Sequence, residues 1–438
     1  LDGLTPLQQK QARLSLRRGG LGLRSLHERR SAAWVGSWLT TLPRVRASCP
    51  AGWAGKDLLT RDRPGWTEEG WAAALLDACD DLAARGAYLN AEGEACADAP
   101  EEPWAWEDGF APLRKMQGEL SKKVEDAALR SLLRDETLSG RARVRSCGGP
   151  GAGAWLSAIP ADGGLSFNDE EFATAARFRL GQHLCLAGQR CGNAYTTTSG
   201  GHRAGDRCQG TLDAHGLHAA TCMVGGRRKR THDHLRDLYA DLLPSAGYAV
   251  LREQHVPGWD RQRRRRNGQW AVERAVLDLR LEAPPDAPIT YLDMVVTHPC
   301  VAAHLHGAAT GNGHAASQAE AGKHARYPAN AHVRGRLVPF AVETYGRLGE
   351  EGLRFLRKAA GRACTRTTAL AVLGGEGPPA VLGAWLGRQS VALQKNNAAA
   401  LKAAAGAAAT WRDSLAPGLE EAALAVLAEA ERLAAQAA

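Results

Sequence analysis

The chain has 438 residues, enough for two or three domains with hydrophobic cores, and its 55 Lys+Arg against 47 Asp+Glu give a net charge of +8 and a pI near 9.0. No apolar run reaches the length of a membrane span and no signal-peptide core opens the chain, so a nuclear or intracellular location is expected, without membrane or secretion. Ten cysteines, six scattered and four gathered in one short segment, argue against a secreted disulfide framework and for a reducing compartment.

Residues 1–45 contain "QARLSLRRGGLGLRSLHERRSAAWVGSWLTTLP", a Gly-Gly turn and then an amphipathic helix. The chain starts at Leu1 rather than methionine, so a fragment of something longer is expected. Residues 46–180 are loop-rich and tryptophan-rich with short helical patches. In "EEGWAAALLDACDDLAARG", Leu75, Leu76, Cys79 and Leu82 recur at helical spacing and Gly86 supplies the stop. Asp80 and Asp81 lie on the polar face of that helix and read as solvated charge rather than as a polymerase metal pair.

From residue 227 the pattern becomes mixed α/β. "THDHLRDLYADLLPSAGY" reads as a helix capped by Thr231, with Leu235, Leu238, Tyr239 and Leu242 on one face and Pro244 and Gly247 ending it. Strands are expected at 248–256, 271–282 and 289–298. A long Gly/His/Ala loop and a helix near 315–327 follow, then a strand in "RLVPFAVET" and a helix in "GEEGLRFLRKAAGR". This order predicts an α/β fold, a small sheet flanked by helices. Residues 363–438 read as an Ala- and Leu-rich helical tail without a chemical signature. The expected divisions are 1–45, a helical linker 46–180, a metal-binding segment 181–226, the mixed domain 227–362 and the tail.

The segment 181–226 supplies Cys191, Cys208, His218 and Cys222, with Cys185 and His215 nearby. Thiolates and imidazole suit tetrahedral zinc, and His218 and Cys222 stand four apart, on one face of a helical turn. The sixteen residues between the first two cysteines exceed ordinary finger spacing, so unlinked cysteines in a flexible loop stay open as the alternative. Metal binding would explain how so polar a segment folds.

"ITYLDMVVTHP" places Asp293 inside an apolar strand, and "AVERAVLDLRLE" does the same with Asp278. Adjacent strands can bring both onto one face, where a Mg²⁺ taking one or two carboxylates would relieve their repulsion and serve phosphate chemistry. Pairing with Arg274 or Arg280 is the competing explanation. Glu320, Lys323 and Tyr327 share a helix face, from which Lys323 can reach over the sheet; a solvated lysine is the commoner fate. The basic runs Arg227, Arg228, Lys229, Arg230 and "RQRRRR", with Arg263, Arg264, Arg265 and Arg266, suit phosphate neutralisation as well as a solvated loop or a localisation signal.

At these residues the chain resembles the C-terminal part of non-LTR retrotransposon proteins that carry a restriction-enzyme-like endonuclease. The resemblance covers most of residues 1–360. "RRGGLGLRSLHERRSAAWVGSW" is similar to the stretch past the polymerase thumb, "CQGTLDAHGLHAATC" to the second half of a Cys-Cys-His-Cys knuckle, and "HDHLRDLYADLLPSAGY", "VLDLRL", "YLDMVVTHP", "AGKHARYP" and "LVPFAVETYGRLGEEGLRFLR" to the nuclease core in order. The resemblance implies a PD-(D/E)xK nuclease with an αβββαβ core, a structural zinc ligated by His218 rather than His215, and catalytic magnesium. By that likeness Asp278 and Asp293 match the metal-binding aspartates and Lys323 a lysine moved to the following helix. Glu253 would be an accessory ligand, and Glu343 falls at a recurrent position without an assigned role. Leu277 stands where the family has proline, and Arg326 where lysine is frequent.

The implied function is nicking target DNA to prime reverse transcription, with DNA and RNA as partners. No Tyr/Phe-x-Asp-Asp polymerase motif is present, so reverse transcription is not assigned to this chain. A nuclease-dead, zinc-bearing nucleic-acid binder and an open reading frame with no selected role are the competing expectations.

Overall fold

The computed structural model describes residues 3–47, 70–90, 94–101, 104, 115–160, 164–184, 187–198, 202–264, 268–283, 288–329, 332–366 and 377–405. They fall into two compact units: one from residues 10–15 and 21–135, the other from residues 1–9, 16–20 and 136–438. Helix α1 (Pro6–Arg13) contributes to both.

The smaller unit holds α2 (Leu26–Ala47), α3 (Gly70–Ala84), a two-residue hairpin of β1 (Tyr88–Leu89) and β2 (Ala95–Cys96), and α4 (Met116–Asp135). Leu75, Leu76, Cys79 and Leu82 are buried as their spacing predicts, and Gly86 ends the helix region in the left-handed conformation, φ 71°. Asp81 is not free charge: Ser31 Oγ donates to it at 2.6 Å and Arg85 Nε at 2.9 Å.

The larger unit begins with α5 (Leu138–Cys147) and α6 (Asp169–Leu180), then α7 (Leu217–Thr221) and α8 (Arg227–Leu242). Next come β3 (Ala249–His255), β4 (Arg261–Arg264), β5 (Trp270–Glu273), β6 (Val276–Glu282) and β7 (Thr290–Thr297). The unit closes with α9 (Ala302–Thr310), α10 (His314–Arg326), β8 (Arg336–Glu343), α11 (Glu350–Arg366) and α12 (Pro378–Ala405). The architecture is mixed α/β around a mixed four-stranded sheet of order β3-β6-β7-β8, antiparallel except for the parallel β7–β8 pair.

Leu279, Leu281, Leu292, Met294, Val338, Phe340 and Val342 form a buried row across the sheet. It packs with Leu235 and Tyr239 of α8, Leu353 and Leu356 of α11, and Trp385 and Leu393 of α12. Fully burying each such side chain contributes roughly 1.5–3 kcal/mol. Tyr239 Oη, buried in this core, donates to Gln389 Oε1 on α12, so the polar tip is satisfied as burial requires.

Three expectations need correction. The helix near 231 starts earlier: Gly226 is its N-cap, and Thr231 lies inside, its hydroxyl donating back to the Arg227 carbonyl. The stretch 271–282 is not one strand, because Trp270–Glu273 pairs with Arg261–Arg264 as a separate hairpin before Val276 joins the sheet. The Gly/His/Ala loop contains α9. Of the C-terminal segment, α12 is helical as expected, and it contributes Val381, Trp385 and Leu393 to the central core. Among the described residues, no helix is long and apolar enough to cross a membrane.

Candidate active site and metal centre

The antiparallel ladder between β6 and β7 pairs Leu281 with Thr290, Arg280 with Tyr291 and Leu279 with Leu292. One step further along that register Asp278 stands opposite Asp293, which explains their meeting: cross-strand partners share a face. At this step the backbone ladder gives way. Met294 N–H donates at 2.6 Å to Asp278 Oδ2 instead of to a strand carbonyl. The two carboxyl groups are close enough for each to shift the other's pKa.

Helix α10 brings the lysine. Lys323 Nζ lies 2.6 Å from Asp293 Oδ2. The contact is a short ion pair on a buried carboxylate oxygen. Two capping carboxylates fix this helix. Glu343 Oε1 accepts from Ala316 N–H in the first turn of α10 at 3.1 Å, and Glu320 Oε1 accepts from Glu351 N–H at the start of α11 at 3.1 Å. Glu343, 1 % exposed at the end of β8, thus holds the helix that carries Lys323. Its role is N-terminal capping from a distance, where negative charge complements the helix dipole.

Sequence reasoning missed His232. Its Nε2 lies 3.2 Å from Asp278 Oδ2 and its Nδ1 lies 3.2 Å from Asp233 Oδ1. The hydrogen bond to Asp278 raises the His232 pKa, against the pull of burial. For Asp278 burial acts upward, but the His232 hydrogen bond and charge and the Met294 N–H hold it below the ordinary carboxylate value. Asp293 goes the other way: burial, then repulsion from Asp278, lift it to about 6 despite Lys323. Only the helical periodicity of α8 could have signalled His232, since it stands three residues before the buried Leu235.

Neither competing arginine neutralises the pair. Arg274 Nη2 is bound to His255 Nδ1 at 2.9 Å, and Arg280 Nη2 to Glu282 at 2.6 Å. Glu253 is a correction. It sits opposite Asp278 in the β3–β6 register, but its φ of 50° is left-handed and breaks the ladder there. Its largely exposed carboxylate is held by Arg236 Nη1 at 2.5 Å, so it does not join the acidic pair. The donor set left fits a hard cation: two carboxylates on neighbouring strands, faced by a lysine and not by an arginine.

The cysteine–histidine segment forms the one cluster of three or more potential metal-ligating side chains among the described residues. Cys191 Sγ lies 3.9 Å from Cys222 Sγ, Cys222 Sγ 3.7 Å from Cys208 Sγ, and Cys208 Sγ 3.6 Å from His218 Nε2. A disulfide would need about 2.05 Å. Tetrahedral edges for ~2.3 Å metal–sulfur and ~2.0–2.1 Å metal–nitrogen bonds are about 3.8 Å and 3.6 Å. The four ligand atoms therefore can hold a metal ion.

Local structure explains the arrangement. Cys191 N–H donates to Gly210 O and Cys208 N–H to Asn193 O, clamping the long first loop. Asp213 caps α7 through Leu217 N–H and His218 N–H, aiming His218 inward. Gly210 has no Cβ to strike the His218 ring. His215 stays outside, edge-on to His183; Cys185 lies outside the described residues. Burial, reinforced by Cys222 and Cys208, pushes the Cys191 thiol up to about 12, so a cation is what would let these thiols ionise together.

The basic runs divide. Arg227, Arg228, Lys229 and Arg230 form the first turn of α8 rather than a loop. Arg228 donates to Val296 O, Arg230 to Gly225 O, and Lys229 pairs with Asp233. Arg263 and Arg264 lie on the exposed hairpin strand β4, while Arg265 and Arg266 lie outside the described residues. Arg264 pairs across the hairpin with Trp270, and Gln262 with Val272, on one face. Trp270 and Val272 are 66 % and 62 % exposed. Glu273, at the hairpin base, is held by Arg261 at 2.9 Å and by Arg326 of α10 at 2.8 Å. No protein-family model matches the chain, and no curated protein matches it.

Proposed function

We propose that the larger unit is a metal-dependent DNA endonuclease of restriction-enzyme-like construction, with a structural zinc in the neighbouring cysteine–histidine cluster. The observation that carries the reading is the convergence of Asp278, Asp293 and Lys323 from two strands and the following helix, with neither carboxylate spent on an arginine. The element order α8-β3-β6-β7-α10-β8 and the placement of lysine on α10 agree with the resemblance in the sequence.

Asp278 and Asp293 would hold a divalent cation such as Mg²⁺, which supplies positive charge to a phosphoryl oxygen and acidifies water. Around it each side chain has its own task. His232 and Met294 N–H hold Asp278 through its Oδ2, which keeps the carboxylate ionised and in place. Lys323, 2.6 Å from Asp293 Oδ2, exchanges that carboxylate for the reacting phosphate, neutralising charge as it builds and orienting the attacking water. Glu343 and Glu320 hold α10 so that the ammonium stays in reach.

The hairpin completes the DNA contact. Its base is tied to α10 through Glu273 and Arg326, one turn from Lys323. Arg264 and Trp270 offer a phosphate contact and a stacking surface on one exposed face. The nick would serve an upstream polymerase as primer, in line with the resemblance.

The test is incubation of the chain with supercoiled plasmid and Mg²⁺ beside an Asp293→Ala control. The reading expects open circles from the wild type only. A wild type that shifts DNA in a gel but never nicks it defeats the enzyme reading and leaves a binding module.

A further inference from the structure

His298, just past the end of β7, is 4 % exposed. Cys300 N–H donates to its Nδ1 at 3.1 Å, so Nδ1 is an acceptor and the proton sits on Nε2. Burial drives the imidazole pKa down to about 3, which keeps the ring neutral in this tautomer. Nε2–H is therefore a buried donor, and among the described residues it has no acceptor. Such a group is costly unless something reaches it.

His298 lines a cavity of about 20 Å³, together with Arg227, Arg228 and Thr231 of α8 and with Thr221 and Cys222. The cavity therefore sits at the N-terminus of a 16-residue helix. Its N-cap, Gly226, offers no side chain to cap it, and its first turn holds four cations and no acid. That charge pattern opposes the helix dipole, which favours anions at this end. Among the described residues Arg227 has no hydrogen-bond acceptor, whereas Arg228 is tied to Val296 O at 3.2 Å.

We propose that His298 Nε2–H, the first turn of α8 and Arg227 form a binding site for one phosphate oxygen of a nucleic-acid backbone. A cavity of this size admits a single oxygen, not a whole phosphate, so it suits a phosphodiester lying outside with one non-bridging oxygen inserted. The site adjoins the end of β7, the strand of Asp293, and the start of α8, the helix whose His232 contacts Asp278. From Asp293 to His298 is about 17 Å at ~3.4 Å per residue of extended chain, about five nucleotides of axial rise at ~3.4 Å each. The site would thus hold a strand at a fixed distance from the cleavage point. The choice of nucleic acid as the source of that oxygen rests on the endonuclease reading; the oxyanion site does not.

The experiment uses the full, zinc-loaded chain and two variants. His298→Phe keeps the ring volume and removes the donor; Arg227→Gln changes a half-buried side chain at the rim and covers the case in which the first fails to fold. In the first arm, inorganic phosphate replaces chloride at equal ionic strength and the Tm is read. Phosphate should raise the wild-type Tm by several degrees and leave both variants unmoved. In the second arm, binding of a 20-base-pair duplex is followed against salt, with Ca²⁺ in place of Mg²⁺. Arg227→Gln should lower the slope of log K against log[salt] by about 1. His298→Phe should weaken binding about tenfold or more at unchanged slope, as loss of a hydrogen bond to a charged group implies.

Wild-type Tm and duplex affinity in both variants, with no phosphate effect, would overturn the site and leave a buried water as its occupant. A phosphate effect lost in both variants, with duplex binding unaltered, would assign the site to a free oxyanion and overturn the nucleic-acid source. Absence of nicking by the wild type bears on the endonuclease alone.

Discussion

Asp293→Asn tests the electrostatics of the acidic pair through stability rather than activity. Burial and Asp278 lift the Asp293 carboxyl from 3.8 to about 6. A folded-state rise of that size corresponds to about 3 kcal/mol of destabilisation once the group is ionised. The sign follows from proton counts. Between about pH 4 and 6 the folded chain keeps a proton that the unfolded chain has released, so stability falls as pH rises through that window. Above it the full cost is carried. Asparagine removes the cost; the attraction of Lys323 already lowers the Asp293 pKa and is contained in the net rise. The variant should be about 3 kcal/mol more stable than wild type at pH 7.5 and equal to it near pH 4. Urea unfolding of the zinc-loaded chain measures this, in Mg²⁺-free buffer without chelator so that the cysteine cluster is left intact. A variant less stable than wild type at pH 7.5, or an advantage independent of pH, would refute the reasoning.

Lys323→Met should lower nicking by about a hundredfold or more, the range for removing one charged transition-state contact. It should also lower the Mg²⁺ concentration for half-maximal stabilisation, because Asp293 loses its competing ion pair; unchanged nicking would remove Lys323 from the mechanism. Cys222→Ser should take zinc content from one equivalent to none and open residues 202–226 to limited proteolysis, since binding energy here is folding energy. A protected, metal-free segment would contradict that. Trp270→Ala should weaken duplex binding by about 1–3 kcal/mol in anisotropy titrations, the scale of one lost stacking contact. Full affinity would exclude the hairpin from the DNA interface.

How far the sequence was legible depends on where each signal lived. Asp278 and Asp293 stood out because carboxylates inside apolar strands are costly, whereas Lys323 rested on a helix face shared with Glu320 and Tyr327 and on the family resemblance. Glu253 misled because its strand pattern says nothing of a single left-handed φ, which turns the carboxylate to Arg236. The β4–β5 hairpin was hidden by continuity: no glycine or proline separates Glu273 from Val276, so two strands in different sheets read as one. Helix α9 was masked by its Gly/His/Ala composition, and the part α12 plays in the core by an alanine-rich sequence whose contact with Tyr239 of α8 only the packed structure reveals. The capping role of Glu343 and the contact of His232 with Asp278 join residues 27 and 46 positions apart, distances that no local pattern encodes.

The central claim is that Asp278 and Asp293 jointly hold a divalent cation. Mn²⁺ soaked into crystals of the zinc-loaded chain and located by anomalous scattering tests it most directly. The account predicts one Mn²⁺ peak between the two carboxylates, at about 2.0–2.6 Å from an oxygen of each, with Lys323 Nζ withdrawn from Asp293 Oδ2. No peak there, with the Lys323–Asp293 contact kept at 2.6 Å, would contradict it.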